Sequence, residues 1–138
     1  MPYFKDAEDL YAHLGRLFVE LLADEELAPR FRAADTIVQW RYRKPEAQVT
    51  AKLLEAEPAQ VDLGATELEP EVVMTMDADV AHRFWLGRVN LAIAMARGQI
   101  RTEGPVAKVV KLGPLVKPVR ERYRAQLQAS GRGDLAEL

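Results

Sequence analysis

The chain of 138 residues carries few groups able to do covalent chemistry. It has no cysteine, one serine (Ser130, in a glycine-rich tail) and two histidines, His13 and His82, far apart in sequence. A serine or cysteine nucleophile needs a histidine within hydrogen-bond reach, and this inventory all but removes that option. Zinc would need both histidines drawn together with a carboxylate; neither stands at ligand spacing, so no metal is expected. Each histidine reads instead as a partly exposed helix residue. No G-x-x-x-x-G-K-[ST] or G-x-G-x-x-G loop is present to cradle phosphates, and no cofactor is expected. The 21 Asp and Glu residues are plentiful, but no pair stands out as an acid–base couple.

The pattern that does stand out is apolar. In GRVNLAIAMARGQIRTEG, Gly87 to Gly104, two glycines bound a run of Ala, Leu, Ile and Met with one Asn and no acid until Glu103. A helix so oily and so thin packs closely against something, either the rest of a core or a ligand.

Positioning such a helix is the task of the remaining elements. Leu10, Leu14, Leu17, Phe18, Leu21 and Leu22 recur every three to four residues and predict an amphipathic helix over Ala7 to Ala28, within an N-terminal helical region of residues 1–30. Asp6 is its expected cap, and Pro29 its expected stop. DTIVQWRYR alternates Val38, Trp40 and Tyr42 with polar residues, the period of a strand with one covered face. QVTAKLLEA, AQVDLGATE and PEVVMTMD repeat that theme. With no crossover helix between them, these four are expected to pair as a consecutive antiparallel meander. DADVAHRFWLG then predicts a helix capped by Asp77 or Asp79, Asn90 to Ala96 a second one ending at Gly98, and QIRTEG a fifth strand. Pro105 suits a first helical turn, Gly113-Pro114 breaks or kinks that helix, and VRERYRAQLQ from Pro118 reads as a last basic helix. Residues 129–138 are expected to be a loose tail. The fold class is therefore α+β, in a single domain spanning residues 1–138.

Composition narrows the function classes. No apolar run approaches the ~18 residues of a membrane span, and acids appear in MPYFKDAEDL where a signal peptide would be apolar, so a cytoplasmic protein is expected. Residues 1–80 hold 8 Lys/Arg against 17 Asp/Glu, whereas residues 81–124 hold 10 against 2. The basic segment bearing Lys108, Lys111, Lys117, Arg120, Arg122 and Arg124 could meet anionic lipid or simply neutralise the acidic half. A pI of 5.7 and the lack of clustered aromatics argue against nucleic acid.

The order Gly87, Asn90, Ala94, Gly98, Gly104, preceded by the strand and turn VVMTMDADV, resembles the signature of the sterol carrier protein 2 family of lipid-binding domains, over roughly residues 35 to 125. Met95 stands where that family usually has an aromatic residue, Gln99 where it has lysine, and Pro105 where it has Asp or Asn. The resemblance implies a curved, mainly antiparallel five-stranded sheet covered by helices that enclose an apolar tunnel for fatty acids, acyl-CoA, sterols or other lipids, without covalent chemistry. The residues that would line it are Trp40, Met74, Met76, Phe84, Val89, Ile93, Met95, Ile100, Leu112 and Leu115. Methionine adapts to varied apolar shapes, but periodicity alone does not separate a lined cavity from a filled core. The chain ends AEL, without the lysine of a peroxisomal S-K-L signal. Two other classes stay open: a small hydrolase or isomerase using a pocket carboxylate, and an accessory protein-interaction module. Oligomeric state is left open by the sequence.

Overall fold

Five strands form one mixed sheet in the computed structural model, which describes residues 2–138. β1 spans Thr36–Arg43, β2 Ala47–Leu53, β3 Gln60–Leu63, β4 Val72–Asp77 and β5 Ile100–Glu103, ordered β3-β2-β1-β4-β5. Three of the four pairings are antiparallel. The fourth is not: β1 and β4 run parallel, placing Trp40 opposite Met74 and Tyr42 opposite Met76. The α+β, mainly antiparallel expectation holds, and the consecutive meander does not. Parallel neighbours need a long connection, but it need not be a helix. Here the β2–β3 hairpin itself fills that role.

The chain returns from the β3 edge to the centre through residues 64–71. Eight extended residues reach up to ~26 Å, enough for the ~14 Å of three strand spacings. Thr66, Leu68 and Pro70 are half-buried while Ala65, Glu67 and Glu69 are exposed, so the segment lies against the sheet on alternate residues. On that same face Gln39 and Thr50 are buried, Gln39 Nε2 donating to Thr50 Oγ1 at 3.0 Å while its Oε1 accepts from Arg41 Nε at 2.6 Å.

The other face is the core. Val38, Trp40 and Tyr42 lie beside Val49, Ala51, Leu53, Val72, Met74, Met76 and Ile100, all buried. The first helical stretch supplies Leu10, Leu14, Leu17, Phe18 and Leu21 to it, as α1 (Ala7–Leu10), a π-helical turn (Tyr11–Gly15) and α2 (Arg16–Ala23). Asp6 Oδ1 accepts from the Asp9 N–H at 2.9 Å, the predicted cap. The stretch ends at Ala23, not Ala28. Asp24 turns extended, and its Oδ1 accepts from the N–H groups of Glu26 and Leu27, which starts a new helix, α3 (Leu27–Arg32). Pro29 then falls in a first turn, where its missing N–H leaves no helical bond unmade.

The second half holds α4 (Ala78–Trp85), α5 (Leu91–Ala96), α6 (Ala107–Val110), a 3-10 turn at Gly113–Leu115, α7 (Val116–Ala129) and α8 (Gly133–Ala136). Asp77 stands at the N-cap of α4 without a side-chain capping bond, its Oδ1 lying 3.3 Å from Arg43 Nε instead, and Asp79 Oδ1 accepts from the Tyr3 N–H. The tail departs from the expected looseness, since Leu135 and Ala136 are buried and α8 docks on α7. Burying one leucine supplies about 1.5–3 kcal/mol toward the cost of ordering this segment, and a polar anchor adds to it. That anchor is His82, 2.9 Å from the Leu135 carbonyl. Both histidines are buried, His13 at 8% and His82 at 0% exposure, which corrects the partly exposed reading of each.

Candidate functional site

Register sets the floor of the site. Trp40 and Met74 are direct neighbours across the parallel β1–β4 pair and point to the helical face. Phe18 packs on Trp40 at 4.6 Å between ring centroids, Trp85 meets Phe18 edge-on at 5.5 Å, and Phe84 meets Trp85 edge-on at 5.0 Å. Such edge-to-face contacts hold large rings in fixed orientation. Above this floor, α3 contributes Phe31, the α4–α5 turn Gly87, Val89 and Asn90, α5 Leu91 and Ala92, and the α6–α7 region Val109, Val110, Leu112, Gly113 and Val116. Together they bound an apolar pocket of about 360 Å³.

The turn is built by glycine. Gly87 has φ +78°, and its N–H donates to the Phe84 carbonyl while Arg88 N–H donates to Arg83, the paired bonds of a Schellman stop. Asn90 restarts the chain as α5, its Oδ1 accepting from the Ile93 N–H at 3.0 Å. The seven-residue spacing between Gly87 and Ala94 thus consists of one helix end, one turn and one helix start.

Of the ten residues predicted to line a cavity, Trp40, Met74, Phe84, Val89 and Leu112 do so. Met76 and Ile100 lie deeper, on a crevice of only ≈ 10 Å³ bounded also by Trp40, Met74 and Phe84. That is about the space of one water, so the pocket does not continue past them as a tunnel in this structure. Leu115 is buried outside the pocket, Ile93 is 51% exposed, and Met95 borders a separate groove by Gly98 and Arg101. α5 is six residues long and turns Ala94 inward, so Ile93, about 100° away around the helix, is carried outward. Phe31, Trp85, Leu91, Val109, Val110 and Val116 line the pocket without having been singled out. Phe31 had no signal beyond one apolar residue among arginines; the valines lie in VAKVVKLGPLV, whose apolar content was the available clue.

No Asp, Glu or His lines this pocket. The carboxyls held below their usual range are elsewhere: Asp24 by the Leu27 N–H and the Arg122 guanidinium, Asp62 by Thr66 and Gln60, and Glu71 by Thr36 and Lys108. A pocket carboxylate with a raised pKa, which a hydrolase or isomerase reading requires, has no counterpart among the described residues. Among the described residues there is also no cluster of His, Asp and Glu able to hold a metal ion.

Sheet order, helical cover and pocket together define an α+β fold of the sterol carrier protein 2 kind. That fold is shared with the sterol carrier protein domain 2 of Helicoverpa armigera, at a TM-score of 0.63 and 17% identity over 85% of this chain and 91% of that one. It is shared with sterol carrier protein 2 from Yarrowia lipolytica, at 0.62 and 15% over 76% and 88%. It also recurs within the sec-alkylsulfatase Pisa1 from Pseudomonas sp., at 0.52 and 12% over 60% of this chain and 13% of that one. No family model and no curated protein matches the sequence. At these identities the likeness is one of fold.

Proposed function

We propose that the protein is a non-enzymatic cytoplasmic carrier, one domain over residues 1–138, that takes a fatty acyl chain, a sterol-like molecule or another lipid into the pocket above Trp40 and Met74. The observation that carries this reading is a pocket of about 360 Å³ lined by aromatic and aliphatic side chains with no titratable group. Ligand pockets usually span about 300–1,000 Å³, and an apolar cavity of about 150 Å³ already accepts benzene. Asn90 is the one amide side chain on the lining, its Oδ1 is occupied by the Ile93 N–H, and no charged group joins it, which favours selection by shape. Two solved proteins of like fold carry the name sterol carrier protein, which agrees.

The test uses the chain's own probes. Its two tryptophans, Trp40 and Trp85, both line the pocket. A bound acyl chain should change their emission in a saturable titration, and a competing sterol should reverse it. Unchanged emission across fatty acid, acyl-CoA and sterol probes, with no lipid in the native mass spectrum, would refute the proposal.

A further inference from the structure

The rim of the pocket is both greasy and cationic. Val110 lines the pocket and is 48% exposed, while Ile93, beside the lining residue Ala92, is 51% exposed. Single exposed aliphatics are ordinary; the charge around these two is not. Apart from Phe31, Trp40 and Met74, every lining residue comes from residues 80–102 or 104–120, and neither segment contains an Asp or Glu. Arg88 follows Gly87, Lys111 sits between Val110 and Leu112, and Lys117 follows Val116. The Arg120 side chain packs over Gly87, its Cδ 3.0 Å from where a Cβ would stand. None of these four cations meets a carboxylate among the described residues. Lys108, Arg122 and Arg124 do, pairing with Glu71, Asp24 and Glu137. Glu71 and Asp24 of the acidic first half, with Glu137 of the tail, therefore neutralise part of the basic segment and leave Lys111, Lys117 and Arg120 without a carboxylate.

We propose that this rim seats the pocket mouth on an anionic lipid bilayer, with Ile93 and Val110 entering the headgroup layer and Arg88, Lys111, Lys117 and Arg120 on its phosphates. The inference rests on reading the pocket as a lipid site, because an apolar ligand passes between bilayer and pocket without crossing water only if the mouth meets the surface. Exposed aliphatics and unpaired cations on the segments that line the pocket match the layered chemistry of that surface, apolar below and anionic above.

Sedimentation of the ligand-free protein with vesicles of phosphatidylcholine alone, or mixed with phosphatidylserine, tests it. Binding is expected to the anionic vesicles only and to fall at high salt. Each cation removed should weaken partition about fivefold, so Arg88→Gln, Lys111→Gln and Lys117→Gln together should weaken it about 100-fold. Ile93→Glu should abolish it with all four cations in place. All these side chains are exposed, so melting temperatures should hold, which separates surface loss from misfolding. No partition into anionic vesicles, or partition indifferent to the triple change, overturns the inference and leaves the rim to an acidic protein partner. Tryptophan titration without vesicles runs beside it: ligand uptake without vesicle binding overturns the docking alone, and vesicle binding without uptake overturns the ligand reading alone.

Discussion

His82 and Tyr123 form a hydrogen bond of 2.7 Å between imidazole Nδ1 and phenol oxygen, with both residues at 0% exposure. In the neutral ring the direction of that bond is set by the far side. Nε2 faces the Leu135 carbonyl at 2.9 Å, and a carbonyl only accepts, so Nε2 carries the proton and Nδ1 accepts from the Tyr123 hydroxyl. Burial between α4, α7 and α8 favours this neutral form. A second proton would turn Nδ1 into a donor aimed at the hydroxyl.

Acid should loosen this arrangement before it titrates the carboxylates. Burial pushes His82 below the usual histidine value of 6.5, and burial does the same to His13 despite the nearby Asp9. A lowered histidine contributes stability that is complete above pH 6.5 and is lost as pH falls from there toward the depressed folded value. Asp24, Asp62 and Glu71 act with the same sign only below the ordinary carboxylate range. Calorimetry should therefore show the melting temperature falling between pH 7 and pH 5, at roughly 3–5 °C per kcal/mol lost. His82→Phe combined with Tyr123→Phe should lower the melting temperature at pH 7 and flatten that slope; an unchanged slope would place the sensitivity at His13.

Filling the pocket from Gly113 separates binding from stability. Gly113 lines the pocket, has no positive φ, and a Cβ there would meet nothing within 4 Å. Gly113→Phe should therefore leave the melting temperature within about 2 °C while weakening binding of a fluorescent fatty acid at least about tenfold. Wild-type affinity in this variant would move the ligand site away from the pocket.

Ala94 should report packing instead. It is wholly buried and absent from the pocket lining, so Ala94→Leu forces extra methyl groups into a filled contact. A loss of roughly 1–3 kcal/mol in urea unfolding is expected, with ligand affinity unchanged in the folded fraction.

Gly104 should be the least replaceable glycine. Its φ is +87°, and a methyl group there would overlap the backbone carbonyl of Glu71, at the mouth of β4. The left-handed backbone alone disfavours alanine by about 1–2 kcal/mol, and the overlap with backbone adds to that. Gly104→Ala should therefore unfold at much lower urea than Gly98→Ala, whose Cβ would meet nothing within 4 Å.

Local chemistry was readable from residues: the strands β1 to β5 follow alternation, and Asn90 and Gly98 mark the ends of α5 where they should. What was not readable depends on distant contacts. The β1–β4 pairing is decided by where Val38 meets Val72, not by any local pattern. Asp24 ends one helix and begins the next through two backbone N–H groups, a competition invisible to periodicity. Half of the predicted residues reach the lining, because Trp40, Met74 and Phe84 lie on inward faces, whereas Ile93 was misplaced because a six-residue helix shows too little repeat to reveal its inner side. The buried His82 depends on a tail that looked unanchored.

The parallel seam of β1 and β4 has a kinetic side. On its β1 side the strand contacts are near in sequence, β1 with β2 and β2 with β3, and on its β4 side they span 24 to 30 residues. The seam joins Val38 to Val72 across the whole β2–β3 hairpin, so loop-closure entropy is met before any of its contacts reward it. Refolding should then wait on the seam. Val38→Ala or Val72→Ala, both at positions with 0% exposure, should slow refolding nearly in step with the stability they remove, while Leu135→Ala in α8 should leave refolding untouched and hasten unfolding.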